Sequence, residues 1–278
     1  WTLSLLPVWL PTTLLLLGLF YLWDRRAWAR EAPEVRAFDG GSEAFGLDGK
    51  INFLLIAGVL ASTILSPSLE GINRALGVDF ASWGLSGGGP WRELFMIAMA
   101  LLSLRLTPRT LREENRFSWA AIVEVAVLFA GIFITMIPAL QLLAAHGGEL
   151  GLTQPWQYFW ATGSLSSFLD NAPTYLVFST TASAAAFGEA PASLAPLAAS
   201  PDFAILLEAV ALGAVFMGAN TYIGNAPNFM VKVIADTAKE RRVRMPSFFG
   251  YMAWSVGILI PVFVLITLVA FVWLRSYL

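Results

Sequence analysis

Two phrases in this 278-residue chain combine helix breakers with oxygen donors: Asp170-Asn171-Ala172-Pro173-Thr174 and Gly224-Asn225-Ala226-Pro227-Asn228. Each falls in the middle of an apolar run. Proline lacks an amide hydrogen and drives the residue before it away from the helical region, so each phrase interrupts its helix and releases backbone carbonyls. Asn171, Asn225 and Asn228 add amide oxygens, Ser167 and Thr174 add hydroxyls, and Asn220-Thr221 stand just before the second phrase. Asp170 adds a negative charge, which is costly inside a membrane, about 2.5–3.5 kcal/mol on insertion scales, and marks ion or proton pathways there. One carboxylate among neutral oxygens holds either a dehydrated sodium ion or a proton, since a single unit of charge is available in a low-dielectric site. The spacing therefore predicts an ion-binding constellation of Ser167, Asp170, Asn171, Thr174, Asn220, Thr221, Asn225 and Asn228, with sodium at Asp170, Asn171 and Asn225. A structural role competes for Asp170, because the same residue suits the N-cap of a helix starting at Pro173.

Other polar residues carry less. Glu124 lies early in an apolar run and reads equally as a snorkelling carboxylate or a second titrating group. Glu208 sits near a membrane boundary, Lys232 snorkels, and His146 falls in a loop. One histidine and no cysteine exclude disulfides and cysteine metal sites and argue against a zinc hydrolase or a nucleophilic triad. Gly84-Leu-Ser-Gly-Gly-Gly-Pro90 lacks the Lys-Ser/Thr ending of a phosphate loop. No enzyme, no organic cofactor and no nucleic-acid partner is expected.

The elements that must position these residues are membrane helices. Hydrophobic side chains make up 57% and charged ones 13%, with a mean hydropathy of +0.68, against about 45–50% and about 25% in soluble domains. Unbroken runs such as Phe-Ala-Gly-Ile-Phe-Ile-Thr-Met-Ile exclude the alternation of a membrane barrel. Full crossings are predicted at residues 2–23, 51–69, 91–104, 119–143 and 248–274, with interrupted segments at 156–187 and 203–238. The chain is thus expected to be an all-α, multi-pass integral membrane protein with the lipid bilayer as its first partner. Residues 1–143 are read as successive helices, and 152–278 as a hairpin, a broken helix and a last helix.

Basic residues fix the orientation. Arg25, Arg26, Arg30, Arg36 and Lys50, then Arg105, Arg109, Arg112 and Arg116, then Lys239, Arg241, Arg242 and Arg244 hold most of the 17 positive charges. The positive-inside rule makes loops 24–50, 105–118 and 239–247 cytoplasmic. A single crossing by 156–187 would put the last cluster outside. A re-entrant hairpin with its tip at the first Asn-Ala-Pro keeps all three inside, and irregular backbone at that depth is tolerated only where protein or a cavity receives it.

At these residues the sequence resembles the ion transporter superfamily: citrate-transporter-like proteins, arsenite permeases and, above all, NhaD-type sodium:proton antiporters. The resemblance rests on Ser-Leu-Ser-Ser-Phe-Leu-Asp-Asn-Ala-Pro-Thr, on Gly-Ala-Asn-Thr-Tyr-Ile-Gly-Asn-Ala-Pro-Asn and on the Met-Pro-Ser-Phe-Phe-Gly-Tyr ending. It implies two inverted halves, each with a hairpin and a broken helix, a homodimer, and an elevator-like movement. This chain then corresponds to the C-terminal half, with an N-terminal repeat half as partner, in a bacterial inner (plasma) membrane. By resemblance, Asp170 and Asn171 match the hairpin tip, and Asn220, Thr221 and Asn225 the broken helix. Dicarboxylate members carry Ser-Asn-Thr triplets at these places; here they read Asp-Asn-Ala-Pro-Thr and Ala-Asn-Thr, a departure that points away from dicarboxylates.

The expected function is secondary ion transport by sodium/proton antiport, with Asp170 alternating between the two ions. Sodium-coupled transport of citrate, a dicarboxylate or another organic anion is the alternative. Oxyanion extrusion, a solute channel built on paired Asn-Ala-Pro phrases, and a non-transport membrane subunit are more remote readings.

Overall fold

The computed structural model describes residues 2–34, 46–65, 73, 75–77, 90–115, 117, 119–188, 194–237 and 245–273. Among them all regular structure is helical and no strand occurs. A 3-10 turn, Thr2–Leu5, leads into α1 (Leu6–Arg30), followed by α2 (Ile51–Leu65), α3 (Trp91–Leu106), α4 (Arg109–Glu114) and α5 (Ala120–His146). Then come α6 (Pro155–Ser166), α7 (Asn171–Phe187), the short α8 (Ala195–Ala199), α9 (Ala204–Met217), α10 (Ala226–Thr237) and α11 (Phe248–Ile266), which runs on as a π-helical stretch, Thr267–Trp273. The chain divides into two compact units, residues 1–33 with 123–278, and residues 34–122.

The first unit is organised round a helical hairpin. Pro155 occupies the first position of α6, where its missing amide hydrogen leaves no intrahelical bond unmade. The Gln157 side chain reaches back to accept from the Thr153 and Gln154 amides at 2.8 and 2.9 Å. Four residues, 167–170, turn the chain. α7 then packs back along α6 and against the Gly147–Leu150 turn that precedes it. It stops at Gly188, whose φ of +80° is a left-handed conformation that favours glycine at a helix end.

α9 packs on both hairpin arms and most closely on α6. Small residues permit the approach, as in membrane helix pairs generally: a methyl group at Gly213 would collide with the Phe159 carbonyl, and one at Gly163 with the Met217 side chain. Phe159, fully enclosed, meets Phe263 and Phe271 with ring centroids 6.2 and 5.4 Å away. The Trp160 indole donates to the Thr267 hydroxyl at 2.9 Å, and that hydroxyl donates to the Phe263 carbonyl at 2.8 Å. The hairpin, α9 and the end of α11 thus share one apolar core.

In the second unit α2 packs on α3. One amide oxygen, on Asn52, accepts from the Ser103 and Thr107 hydroxyls at 2.7 and 3.0 Å. Phe53, Leu54, Ile64 and Leu101 are exposed.

The expected helices are present with small shifts. Two of the five predicted crossings, Leu3–Arg30 and Phe248–Phe271, are long and apolar enough to span a membrane among the described residues. α5 has 27 residues, whereas α2 has 15 and α3 has 16, short of the ~20 a crossing needs. Both interrupted segments are interrupted as read. The prolines themselves sit inside the first turns of α7 and α10 rather than at the breaks, since proline is tolerated where no intrahelical donor is needed. Residues 35–45, 78–89 and 238–244, the ends 66–69 and 274, and the side chain of Glu124 lie outside the described residues.

The contact at Gly213 gives a stability test. Gly213→Ala in the full-length protein is expected to cost several kcal/mol, because its neighbour is backbone and cannot move aside; Gly257→Ala, with open space around it, should be neutral or gain up to ~1 kcal/mol of helix propensity. Thermal unfolding of both variants in detergent, followed by size-exclusion fluorescence, checks the contrast.

Candidate functional site

The second break starts where α9 ends. Gly218–Asn220 form one 3-10 turn, Thr221 is extended at φ −134° and ψ 166°, and helix resumes at Ala226. The Thr221 hydroxyl accepts from the Ile223 and Gly224 amides at 3.2 and 2.9 Å. Asn225 accepts from the Asn228 amide at 2.9 Å, which caps α10, and the Asn228 amide group donates to the Gly218 and Thr221 carbonyls at 3.4 and 3.2 Å. Short polar side chains bonding nearby backbone groups in this way stabilise non-helical turns.

The hairpin tip fits into this break. Ser166 donates to the Ala214 carbonyl at 2.6 Å. Ser167 donates to the Met217 carbonyl at 3.0 Å and accepts from the Asn220 amide nitrogen at 3.0 Å. The Thr221 hydroxyl donates to the Ser167 carbonyl. Asn171 turns its amide nitrogen inward, toward the carbonyls of Gly224 at 3.0 Å and Ala214 at 2.9 Å and the Ser166 hydroxyl at 2.9 Å; the carbonyls are acceptors that its oxygen would only repel. A side chain at Gly224 would strike the Gly218 carbonyl and come within 2.8 and 3.0 Å of the Ser166 and Ser167 carbonyls. Glycine is therefore required there for close backbone approach.

The last helix supports the break from its other side. Tyr251 and Ser255, one turn apart on α11, donate to the Ala219 and Asn220 carbonyls at 3.0 and 2.6 Å. The Tyr251 ring stacks on Tyr222 with centroids 4.1 Å apart, and the Tyr222 hydroxyl donates to the Pro246 carbonyl at 3.1 Å. Lys232 pairs with Asp236 at 2.7 Å and lies 5.5 Å over the Tyr222 ring.

The eight sequence-predicted ion-site residues lie in the two breaks or in the first turn of the helix that follows each: Ser167 and Asp170 in the hairpin turn, Asn171 and Thr174 at the start of α7, Asn220, Thr221 and Asn225 in the second break, and Asn228 at the start of α10. Asp170 caps α7, accepting from the Ala172 amide at 3.2 Å, so the structural role expected of it is present and the helix starts two residues before Pro173. Thr174 is buried and donates to the Asp170 carbonyl at 2.9 Å. Asn220 is 4% exposed, and its amide oxygen has no hydrogen-bond partner among the described residues. A buried acceptor left unpaired costs about 1–3 kcal/mol, and an oxygen donor in that state suits a bound cation. The nitrogen of the same amide bonds the Ser167 hydroxyl of the hairpin turn, a neutral partner. Among the described residues no group of three or more His, Cys, Asp or Glu could hold a metal ion. His146 pairs with Glu149 at the surface, 3.1 Å apart.

Sequence reasoning missed Ser166, Gly218, Gly224, Tyr251 and Ser255. The four-residue spacing of Tyr251 and Ser255 on an otherwise apolar helix was the available signal.

A model of the family CitMHS_2, described as "Putative citrate transport", matches residues 1–271. No curated protein and no solved structure matches the chain.

The orientation of Asn171 is open to a direct check. Asn171→Asp puts a carboxylate against two carbonyl oxygens and is expected to destabilise the full-length protein more than Asn171→Leu, which loses hydrogen bonds worth about 1–3 kcal/mol as acceptors go unpaired. Equal or greater stability of the aspartate variant in thermal unfolding would show that the oxygen points inward.

Proposed function

The chain belongs to the family described as "Putative citrate transport", whose function is membrane transport rather than catalysis, and from that premise we propose a cation-coupled secondary transporter of an organic anion of the citrate class. The observation that carries this reading is the junction of hairpin tip and unwound segment, with the enclosed, unpaired amide oxygen of Asn220 in it. Ser167, Asn220 and Thr221 meet there from two distant stretches of chain. Hydroxyl, amide and hydroxyl are the same groups that dicarboxylate members carry in a consecutive Ser-Asn-Thr triplet, so the departure noted in the sequence does not remove the chemistry.

Neutral donors leave a bound sodium ion with its full charge. In a low-dielectric site that charge favours an anion close by, and the N-termini of α7 and α10 add partial positive charge. Sodium bound first would thereby prepare the site for a carboxylate, and neither would bind well alone. That mutual dependence is coupling. Movement of the loaded hairpin and broken helix across a bilayer, in a multi-pass protein of a bacterial inner membrane, completes the proposed cycle.

Sodium/proton antiport is the second reading, favoured by Asp170, the carboxylate of the hairpin turn. There the bound anion is the protein's own carboxylate, and protonation releases sodium.

Full-length protein in proteoliposomes separates the two. The first reading expects radiolabelled citrate uptake driven by an inward sodium gradient. It also expects Asn220→Ala to raise the sodium concentration for half-maximal uptake about tenfold or more, a loss of ~1.4 kcal/mol. Sodium-driven proton movement without citrate, abolished by Asp170→Asn, would favour the second reading. Citrate uptake indifferent to sodium and to Asn220 would defeat the proposed coupling.

A further inference from the structure

Three hydroxyls in the hairpin are unexplained by the site. Tyr158 and Thr162 on α6 and Ser183 on α7 are each fully enclosed, 0% exposed, and none of the three hydroxyl oxygens has a hydrogen-bond partner among the described residues. Most helix hydroxyls here behave otherwise: Ser179, Thr180 and Thr181 each bond a carbonyl of the preceding turn. Three dry orphans in one small hairpin would cost the fold several times what a single one does, and buried polar groups in native proteins are satisfied by protein or by ordered water.

Their placement forms a track. Residues 158, 162 and 166 recur every fourth position, so Tyr158, Thr162 and Ser166 lie along one strip of α6. α6, α7 and α9 pack on one another pairwise, and Ser166, at the lower end of the strip, bonds both Asn171 and Ala214 within the junction. At ~1.5 Å per residue, Tyr158 lies ~12 Å from Ser166 along the helix, and its side chain reaches back about a further turn toward the N-terminus of α6. Ser183 lies ~18 Å along α7 from Asn171. The hydroxyls of Tyr158 and Ser183 are thus at similar heights on the two arms, with Thr162 between them and the tip.

We propose that Tyr158, Thr162 and Ser183 hold a file of ordered water molecules linking the Ser166–Asn171 end of the ion site with the open end of the hairpin. Each hydroxyl donates to and accepts from water, which removes the cost of burying it. Such a file also offers a cation or proton a hydrated route between the packed helices. The file rests on the orphaned hydroxyls alone; its use as a route rests on the transport reading above.

X-ray hydroxyl-radical footprinting of the full-length protein, with ¹⁸O-labelled water, tests the file directly. Radicals formed from bound water oxidise the side chain beside them. Tyr158 should be modified although it is enclosed, its label exchanging slowly, while Phe159, equally enclosed, stays unmodified and the exposed Tyr21 labels fast. Tyr158 as silent as Phe159 overturns the file. Unfolding midpoints give a second reading: Tyr158→Phe and Thr162→Val should each lower the midpoint by about 2–4 °C if hydrated, and a raised midpoint for both shows that the hydroxyls are dry. If Tyr158 labels and the same variants slow citrate or proton flux several-fold at unchanged half-saturating sodium, the route is established; unchanged flux overturns the route and leaves the file standing.

Discussion

A helix interrupted inside hydrocarbon exposes amide and carbonyl groups that no water is at hand to satisfy, each at a cost of several kcal/mol. This chain contains two interruptions, and they satisfy one another. Ser166, Ser167 and Asn171 of the first supply donors to the carbonyls of Ala214, Met217 and Gly224, while Thr221 and Asn220 of the second reach back to Ser167. Gly224, with no side chain, lets the two backbones close up. Tyr251 and Ser255 take the carbonyls of Ala219 and Asn220 that the hairpin does not reach. After this mutual pairing the Asn220 oxygen is left over. On the proposed reading, that unspent acceptor is where a small cation would be held.

Rigidity in the surrounding helices makes that leftover oxygen specific. Gly213 holds α9 against the Phe159 carbonyl, and Phe159, Phe263 and Phe271 lock α6 to α11. The hairpin, α9, the unwound segment and α11 are therefore coupled through one core, so a displacement of the tip is felt at the break. In the proposed transport cycle, break and hairpin would then move together.

The helices and both interruptions were legible because their signals are local. Apolar run length, the Asn-Ala-Pro phrases and the prolines need only neighbours in sequence, and both phrases do lie at interruptions between helices. Asp170 carried both readings, and its capping bond to Ala172 was foreseeable from its place before a helix. What stayed hidden depends on partners far along the chain. Asn171 was expected to offer oxygen, but the carbonyls of Ala214 and Gly224 demand its nitrogen, and nothing within its own segment announces them. Gly213 and Gly224 look like ordinary glycines until another backbone is brought against them. Helix ends shifted because proline is compatible with a first turn, which a rule about helix breaking overlooks.

The central claim is that hairpin tip and unwound segment are in contact through Ser167 and Asn220. The chain contains no cysteine, so a pair introduced as Ser167→Cys and Asn220→Cys is the one thiol pair within these 278 residues. Mild oxidation of full-length protein in membranes, followed by proteolysis and mass spectrometry, is predicted to yield a disulfide-linked peptide pair in high yield. Absence of that pair, with both thiols recovered free, would contradict the account.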